Sequence, residues 1–227
     1  MNYEKEFKKY ATNHLGISGL TTHDVINHQI KSSMTPYVLE ERPLHVTQID
    51  VFSRLMMDKI IFVNGVVDNR MSSVLVAQLL FLSSLDKNDI NLYIDSPGGS
   101  VKDGLSIVDV MDYIENDVST LNTGMAASMG SILLGAGTKG KRGSLRFSKT
   151  MLHQSSGGAS GNIQDARITL IEWEKTNKIL FNLLSDFCGK PYDQILKDCE
   201  RDKWLDANES LEYGIIDEII TTKKKLK

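Results

Sequence analysis

The sequence predicts an α/β fold built on a parallel sheet, and three observations carry that expectation. From Lys59 onward, extended apolar segments alternate with helical ones: KIIFVNG, SSVLVAQLLFLSSL, NLYIDSPGG, VKDGLSIVDVMDYIEN and VSTLNTG. This βαβαβ rhythm places parallel strands side by side. Each strand-like segment ends in a glycine-bearing turn, and sites of open α/β sheets lie at the strands' C-terminal ends. A long helix then follows, from residue 162 to about residue 187, with apolar residues at helical spacing.

Taken in order, residues 1–34 are polar, carry His14, His23 and His28, and read as an extension that is mobile or removed by processing. Nothing places the three histidines on one helix face, so they are not expected to bind metal. After the alternating region comes the basic loop TKGKRG, then the extended segment RFSKTMLHQ and the glycine-rich SSGGASG at 155–161. The long helix carries two stripes. Ile163, Ala166, Leu170, Trp173, Leu180 and Leu184 form one, and Ile168, Ile171, Ile179 and Leu183 form the other. Two apolar stripes need two partners, one in the chain's own core and one in a neighbouring subunit. Asp206 and Glu209 have capping-box spacing, Gly214 ends that helix, and IIDEII reads as a last strand.

Composition excludes several classes. A formal net charge of −3, with the one basic run at Lys223 to Lys225, gives no field to hold nucleic acid. The stretch from Val74 to Leu82, broken by Gln78, falls far short of the ~20 residues a bilayer core demands. The N-terminus lacks an apolar signal region, so a cytoplasmic protein without membrane contact is expected. Cys188 and Cys199 have no metal-ligand or disulfide-framework spacing and are expected to be reduced and structural. GAGTKGKR, residues 135–142, nearly matches a phosphate-binding loop, but Arg142 stands where a hydroxyl should meet magnesium and the segment runs from helix into loop. No bound nucleotide, metal or other cofactor is expected.

Acyl-transfer chemistry fits better. It needs a nucleophile, a base, a group that orients the base, and donors for the oxyanion. In GMAASMGSILLGAG, residues 124–137, Ser128 follows a strand-like segment and opens a helical run. There the N–H of Met129 is a natural oxyanion donor. The SPGGS turn, through Gly98 and Gly99, can supply a second. Each such donor is typically worth ~10² to 10³ in rate. Beyond residue 45 the only histidine is His153. Spacing leaves the orienting acid open among Asp165, Asp186, Asp193, Asp198, Asp202 and Asp206.

Several separated motifs carry a resemblance. FSRLMMDKIIFVNGVV, VAQLLFL, LYIDSPGGSV, GMAASMGSILLGAGTKGKR, MLHQ and RDKWLDANESLEYGIIDEII together resemble the proteolytic subunits of ATP-dependent Clp protease, the ClpP family. The resemblance implies a ClpP/crotonase-type spiral of βαβ units in a single domain over 35–220. Its head would span about 50–150, a protruding long-helix handle about 154–190, and a basic tail 221–227. It implies a serine endopeptidase with Ser128 as nucleophile, His153 as base and Asp202 as acid, and oxyanion donors at Gly99 and Met129. It further implies two stacked heptameric rings of this chain, with Arg201 coupling ring contacts to the site. Unfolded protein substrates would arrive from a separate AAA+ unfoldase of the ClpX or ClpA/ClpC type, docked at Tyr93 and Tyr113. Two positions depart from the family pattern: Asp95 stands in place of asparagine and Ser155 in place of proline. Two alternatives remain, a crotonase-like acyl-CoA enzyme, which would not need the Ser, His and Asp set, and a non-catalytic ring subunit.

Overall fold

The computed structural model describes residues 37–42, 45–159 and 161–221 of the 227-residue chain. The proposed N-terminal extension, with its three histidines, and nearly all of the basic tail lie outside the described residues. The chain divides into two units, 1–57 and 58–227.

In the first unit, strands β1 (Tyr37–Arg42) and β2 (His45–Asp50) pair antiparallel and lead into helix α1 (Val51–Met57). The Asp50 carboxylate caps that helix by accepting the Ser53 N–H at 3.0 Å. Sequence reading found none of these three elements.

The second unit opens with the expected alternation: β3 (Ile60–Val67), α2 (Asn69–Leu85), β4 (Ile90–Gly99), α3 (Val101–Tyr113), β5 (Val118–Ala127) and α4 (Met129–Gly135). The remaining elements are β6 (Arg142–Leu145), β7 (Lys149–Leu152), α5 (Ile163–Cys188), α6 (Tyr192–Asp198), β8 (Lys203–Leu205), α7 (Ala207–Tyr213) and β9 (Glu218–Ile220). The sheet runs β3-β4-β5-β6-β9, with β7 joined to β5 and β8 joined to β7. Every pairing is parallel except β7 with β8. RFSKTMLHQ is therefore not one extended segment. Residues 146–148 form the turn between β6 and β7, the strand itself is Lys149–Leu152, and β8 and α6 are additional to the sequence reading.

Packing follows the period of each element. On β4, Ile90, Leu92 and Ile94 are fully buried while Asn91, Tyr93 and Asp95 face outward, so one face of the sheet is covered. Leu75, Leu79 and Leu82 of α2 recur at helical spacing and are buried. All seven residues of α4 are buried, which makes this short helix the centre of the core. Gly104 of α3 clears space for it, because a Cβ there would meet the Met129 side chain at 2.3 Å.

The expected stripes of α5 divide along the helix rather than around it. Leu180, Phe181 and Leu184 are buried, whereas Ile163, Ile168, Leu170, Ile171 and Ile179 are exposed. Among the described residues of the second unit, none buries the apolar side chains of the first turns.

The phosphate-loop-like segment has a structural role. Lys141 pairs with Asp89 and Asp117. Arg142, 3% exposed, bonds the Asp217 carboxylate through Nε and Nη2 and donates to the carbonyls of Phe187 and Gly214. Burial pushes the Asp217 carboxyl up, but the Arg142 hydrogen bonds overcome this and hold it below the usual carboxylate range. A depressed folded value means that the bridge stabilises above the unfolded value of about 3.9 and is lost as pH falls through the folded one. Asp217→Asn should cost about 3–5 kcal/mol by leaving the buried guanidinium unpaired. In urea titrations followed by circular dichroism, the parent should lose stability below about pH 4 more steeply than the variant.

Candidate active site

Three neighbouring strands build the site. β5 and β7 pair parallel, with Ala127 opposite Met151, and β7 and β8 pair antiparallel, with Leu152 opposite Lys203. The next residues are Ser128 after β5, His153 after β7 and Asp202 before β8. Register alone therefore gathers positions that are 25 and 49 residues apart.

Ser128 sits in a turn that few side chains tolerate. Its backbone has φ 53° and ψ −121°, one of two positive-φ non-glycine residues among those described. Such a conformation costs of order 1–3 kcal/mol and persists only where surroundings impose it. Here the Ser128 N–H donates to Met151 O at 2.9 Å, and the Ser128 carbonyl accepts the Ser131 N–H and hydroxyl at 2.9 and 2.6 Å. A sharp strand-to-helix turn of this kind pushes the hydroxyl outward.

His153 Nε2 lies 2.8 Å from Ser128 Oγ, and His153 Nδ1 lies 3.1 Å from Asp202 Oδ1. An ionised carboxylate only accepts, so Nδ1 carries the proton of the neutral imidazole and Nε2 accepts the serine O–H. The Asp202 side chain is 62% exposed and that of His153 is 22% exposed. Of the aspartates that spacing left open, Asp202 is the one within reach of His153. The loop before it is anchored. Gln154 N–H donates to Cys199 O, while Asp198 accepts from Tyr213 Oη at 2.9 Å and from Lys203 Nζ at 3.3 Å.

Gly98 and Gly99 approach from β4. A Cβ on Gly98 would lie 2.6 Å from Ala127 O, 2.7 Å from Ser128 Cβ and 2.9 Å from Met129 N, and one on Gly99 would lie 2.2 Å from Val67 O. Gly99 and Met129 thus sit in the two segments that flank the Ser128 turn. Two cavities open at His153 and Ser155. One is a broad groove of about 750 Å³ along Gln154, Gly157, Trp173 and Arg201, and the other is a small pocket of about 20 Å³ beside Ser128.

The departures from the family pattern acquire partners. Asp95 Oδ1 accepts the Met125 N–H at 3.0 Å, where the β4–β5 register shifts. Ser155 N–H donates to Asn177 Oδ1 at 3.0 Å, a bond that proline cannot form. Arg201 is exposed beside Asp202. Tyr113, 79% exposed, lines a separate groove with Leu80, Leu85 and Ile114. Tyr93 is not in that groove and instead packs edge-on against Phe62. Burial pushes the thiols of Cys188 and Cys199 up to about 12 and about 11, so neither is a thiolate nucleophile near neutral pH. Among the described residues no group of three or more His, Cys, Asp and Glu side chains is arranged to hold a metal ion, and no helix is long and apolar enough to cross a membrane.

The sequence profile of the Clp protease family matches residues 44–223. The chain belongs to the Clp protease family. It is 50% identical over 219 residues to a protein of Bacteroides fragilis (strain YCH46) named ATP-dependent Clp protease proteolytic subunit, covering 96% of this chain and 99% of that one. The same identity and coverage hold for the protein of that name from Bacteroides thetaiotaomicron. The Porphyromonas gingivalis protein of that name is 49% identical over 221 residues, with 97% and 99% covered. The fold agrees with the α/β, mostly parallel architecture expected for Clp proteases.

Gly98→Ala should be damaging out of proportion to its size. The added methyl meets backbone on both sides of Ser128 at a residue with φ +92°. Displacing Ser128 by even ~1 Å should lower peptide hydrolysis about 100-fold, read as kcat/KM on a short fluorogenic peptide.

Proposed function

We propose that this chain is the proteolytic subunit of an ATP-dependent Clp protease, a serine endopeptidase. The carrying observation is the hydrogen-bonded series Ser128 Oγ, His153 Nε2, His153 Nδ1 and Asp202 Oδ1 at 2.8 and 3.1 Å. Ser128 Oγ attacks the scissile carbonyl while His153 Nε2 takes its proton, and Asp202 holds the imidazole in the required tautomer and stabilises the imidazolium. The N–H groups of Gly99 and Met129 receive the oxyanion. His153 then protonates the leaving amine. Water, deprotonated by the same nitrogen, cleaves the resulting acyl-enzyme and regenerates Ser128. A crotonase-like acyl-CoA enzyme would make no use of this series, and a non-catalytic ring subunit would have no reason to maintain the strained Ser128 turn.

The exposed apolar residues of α5 support assembly, since a single chain leaves Ile163, Ile168, Leu170 and Ile171 in water. The assembly is two stacked heptameric rings in the cytoplasm, with α5 as the handle between rings and Arg201 linking ring contacts to Asp202. An AAA+ unfoldase of the ClpX or ClpA/ClpC type docks at Tyr113 and Tyr93 and delivers unfolded chains.

Ser128→Ala should lower hydrolysis of short peptides at least 10³-fold while the sedimentation coefficient of the assembly stays unchanged. Fluorophosphonate labelling should disappear with it. Ile171→Glu should separate the rings. Analytical ultracentrifugation should show the large species replaced by smaller ones, and an unchanged profile would exclude α5 from the interface.

A further inference from the structure

A buried hydroxyl holds the glycine turn beside Ser128. Ser96, fully buried on β4, donates to Gly65 O at 2.6 Å and accepts the Gly98 N–H at 3.1 Å. Both partners lie at breaks in the sheet. The β3–β4 register shifts between Asn64 and Val66, around Gly65, and the β4–β5 register shifts between Ile94 and Ser96. Pro97, next in the chain, has no N–H with which to continue a ladder. A hydroxyl can donate and accept at once, so one side chain ties the Gly65 carbonyl to the Gly98 N–H across the break. Ser96 also lies against the helix that follows Ser128: a Cβ on Gly130 of α4 would meet Ser96 O at 2.9 Å and Ser96 Cβ at 3.3 Å. Gly99 pairs with Val67 through the Ser100 N–H, which donates to Val67 O at 2.8 Å, so β3 makes no use of the Gly99 N–H.

We propose that Ser96 is a positioning residue for the oxyanion donors. Its hydroxyl fixes Gly98, and with it the Gly98–Gly99 peptide whose N–H is the Gly99 donor. This rests on the peptidase reading of Ser128, His153 and Asp202, with Gly99 and Met129 receiving the oxyanion. Glycine makes the restraint necessary. Gly98 and Gly99 have φ +92° and +152°, and without side chains such residues sample many backbone conformations. A donor is effective only when it is aimed, before reaction, at the place where charge develops. The turn cannot be stiffened by a side chain of its own, since a Cβ on Gly98 would lie 2.7 Å from Ser128 Cβ. The Ser96 hydroxyl supplies that stiffness from outside the turn. Ser96 acts through Gly98, and through its packing on α4, whose first residue is Met129.

The test compares the full-length parent, Ser96→Ala, Ser96→Cys and Thr120→Val on a short peptide ester and on the thionoester of the same acyl group, with active sites counted by fluorophosphonate labelling of Ser128. Sulfur is a larger and weaker acceptor than oxygen, so aimed donors favour the ester and misaimed ones lose that preference. Per labelled site, Ser96→Ala should lower kcat for the ester about 10- to 100-fold with KM held within about twofold, and should shrink the ester-to-thionoester ratio of kcat/KM about fivefold or more. Ser96→Cys, close in shape and with a weak S–H donor, should fall between Ser96→Ala and the parent. Thr120→Val removes another buried hydroxyl, one that donates to Leu134 O at 2.8 Å, and should lower the melting temperature while leaving the ratio unchanged. An unchanged kcat in Ser96→Ala, a loss with the ratio unchanged, or an equal shift of the ratio in Thr120→Val would each overturn the assignment. Should Ser96→Ala fail to fold, Ser96→Cys decides by the same ratio. A parent that hydrolyses neither ester and takes no label overturns the peptidase reading and this inference with it. A labelled, active parent whose ratio the Ser96 variants leave alone overturns only the inference.

Discussion

The register of the β5-β7-β8 ladder is the constraint on which the site depends. Ser128, His153 and Asp202 each stand one residue beyond a paired position, so their meeting is set by which backbone atoms bond across three strands. A slip of one residue would turn every side chain of a strand to the opposite face. Short strands of three or four residues resist slippage poorly by themselves, and buried polar side chains pin these. Asn122, fully buried, donates to Lys149 O and accepts through its own carbonyl from the Ser148 hydroxyl. Ser210 and Thr150 pair their hydroxyls between α7 and β7. Each of these groups loses a partner if the register moves, and an unpaired polar atom in this core costs about 1–3 kcal/mol. The register is therefore specified by polar contacts inside an apolar core.

The same economy of placement extends to the two ends of the series. At Ser128, the fully buried α4 and the Met151 carbonyl hold a backbone conformation that an isolated peptide would abandon. At Asp202, the anchor is more distant. Burial works against ionisation of Asp198, yet hydrogen bonds from Gln194, Tyr213 and Lys203 overcome it and hold that carboxyl below its usual range. Burial, with the bond to Asp198, raises the Tyr213 phenol far above its ordinary range, so it remains a donor at any working pH. Lys190 and Lys203 stack on the Tyr213 ring at 4.7 and 5.5 Å. Lys203 directly follows Asp202, so this cluster fixes the strand end from which the Asp202 carboxylate reaches His153.

The sequence made the alternating core legible because periodicity reports burial. The β3 to α4 series and the capped α7 followed from apolar spacing and turn residues, and the Asp206–Glu209 capping box forms as expected. Ser128 and His153 were legible because few residues of their type were available in suitable context. Asp202 was legible only through the family resemblance, since seven aspartates follow His153 and β8, the three-residue strand that positions it, is too short to show a period. The β1–β2 hairpin and α6 were missed for a similar reason: each is short, and a strand pair or a two-turn helix carries too few apolar positions to define a stripe. The bonds of the Ser96 hydroxyl were invisible because they depend on neighbours in space.

The long helix α5 joins two environments that the sequence presented as a single pattern. Its second half builds the domain: Leu180 and Leu184 are walls of the small pocket beside Ser128, and Asn177 holds the backbone two residues past His153. Its first half offers isoleucines and leucines to solvent over several turns. Burying one such side chain is worth about 1.5–3 kcal/mol, so the exposed stretch is a large unrealised stabilisation for an isolated chain. A helix is stiff over this length, and the interaction that covers the first half also limits where the second half can sit. Under the proposed assembly, subunit contacts and the Ser128 site would share one rod, with Asn177 and Leu180 at the point where the exposed stretch gives way to the pocket.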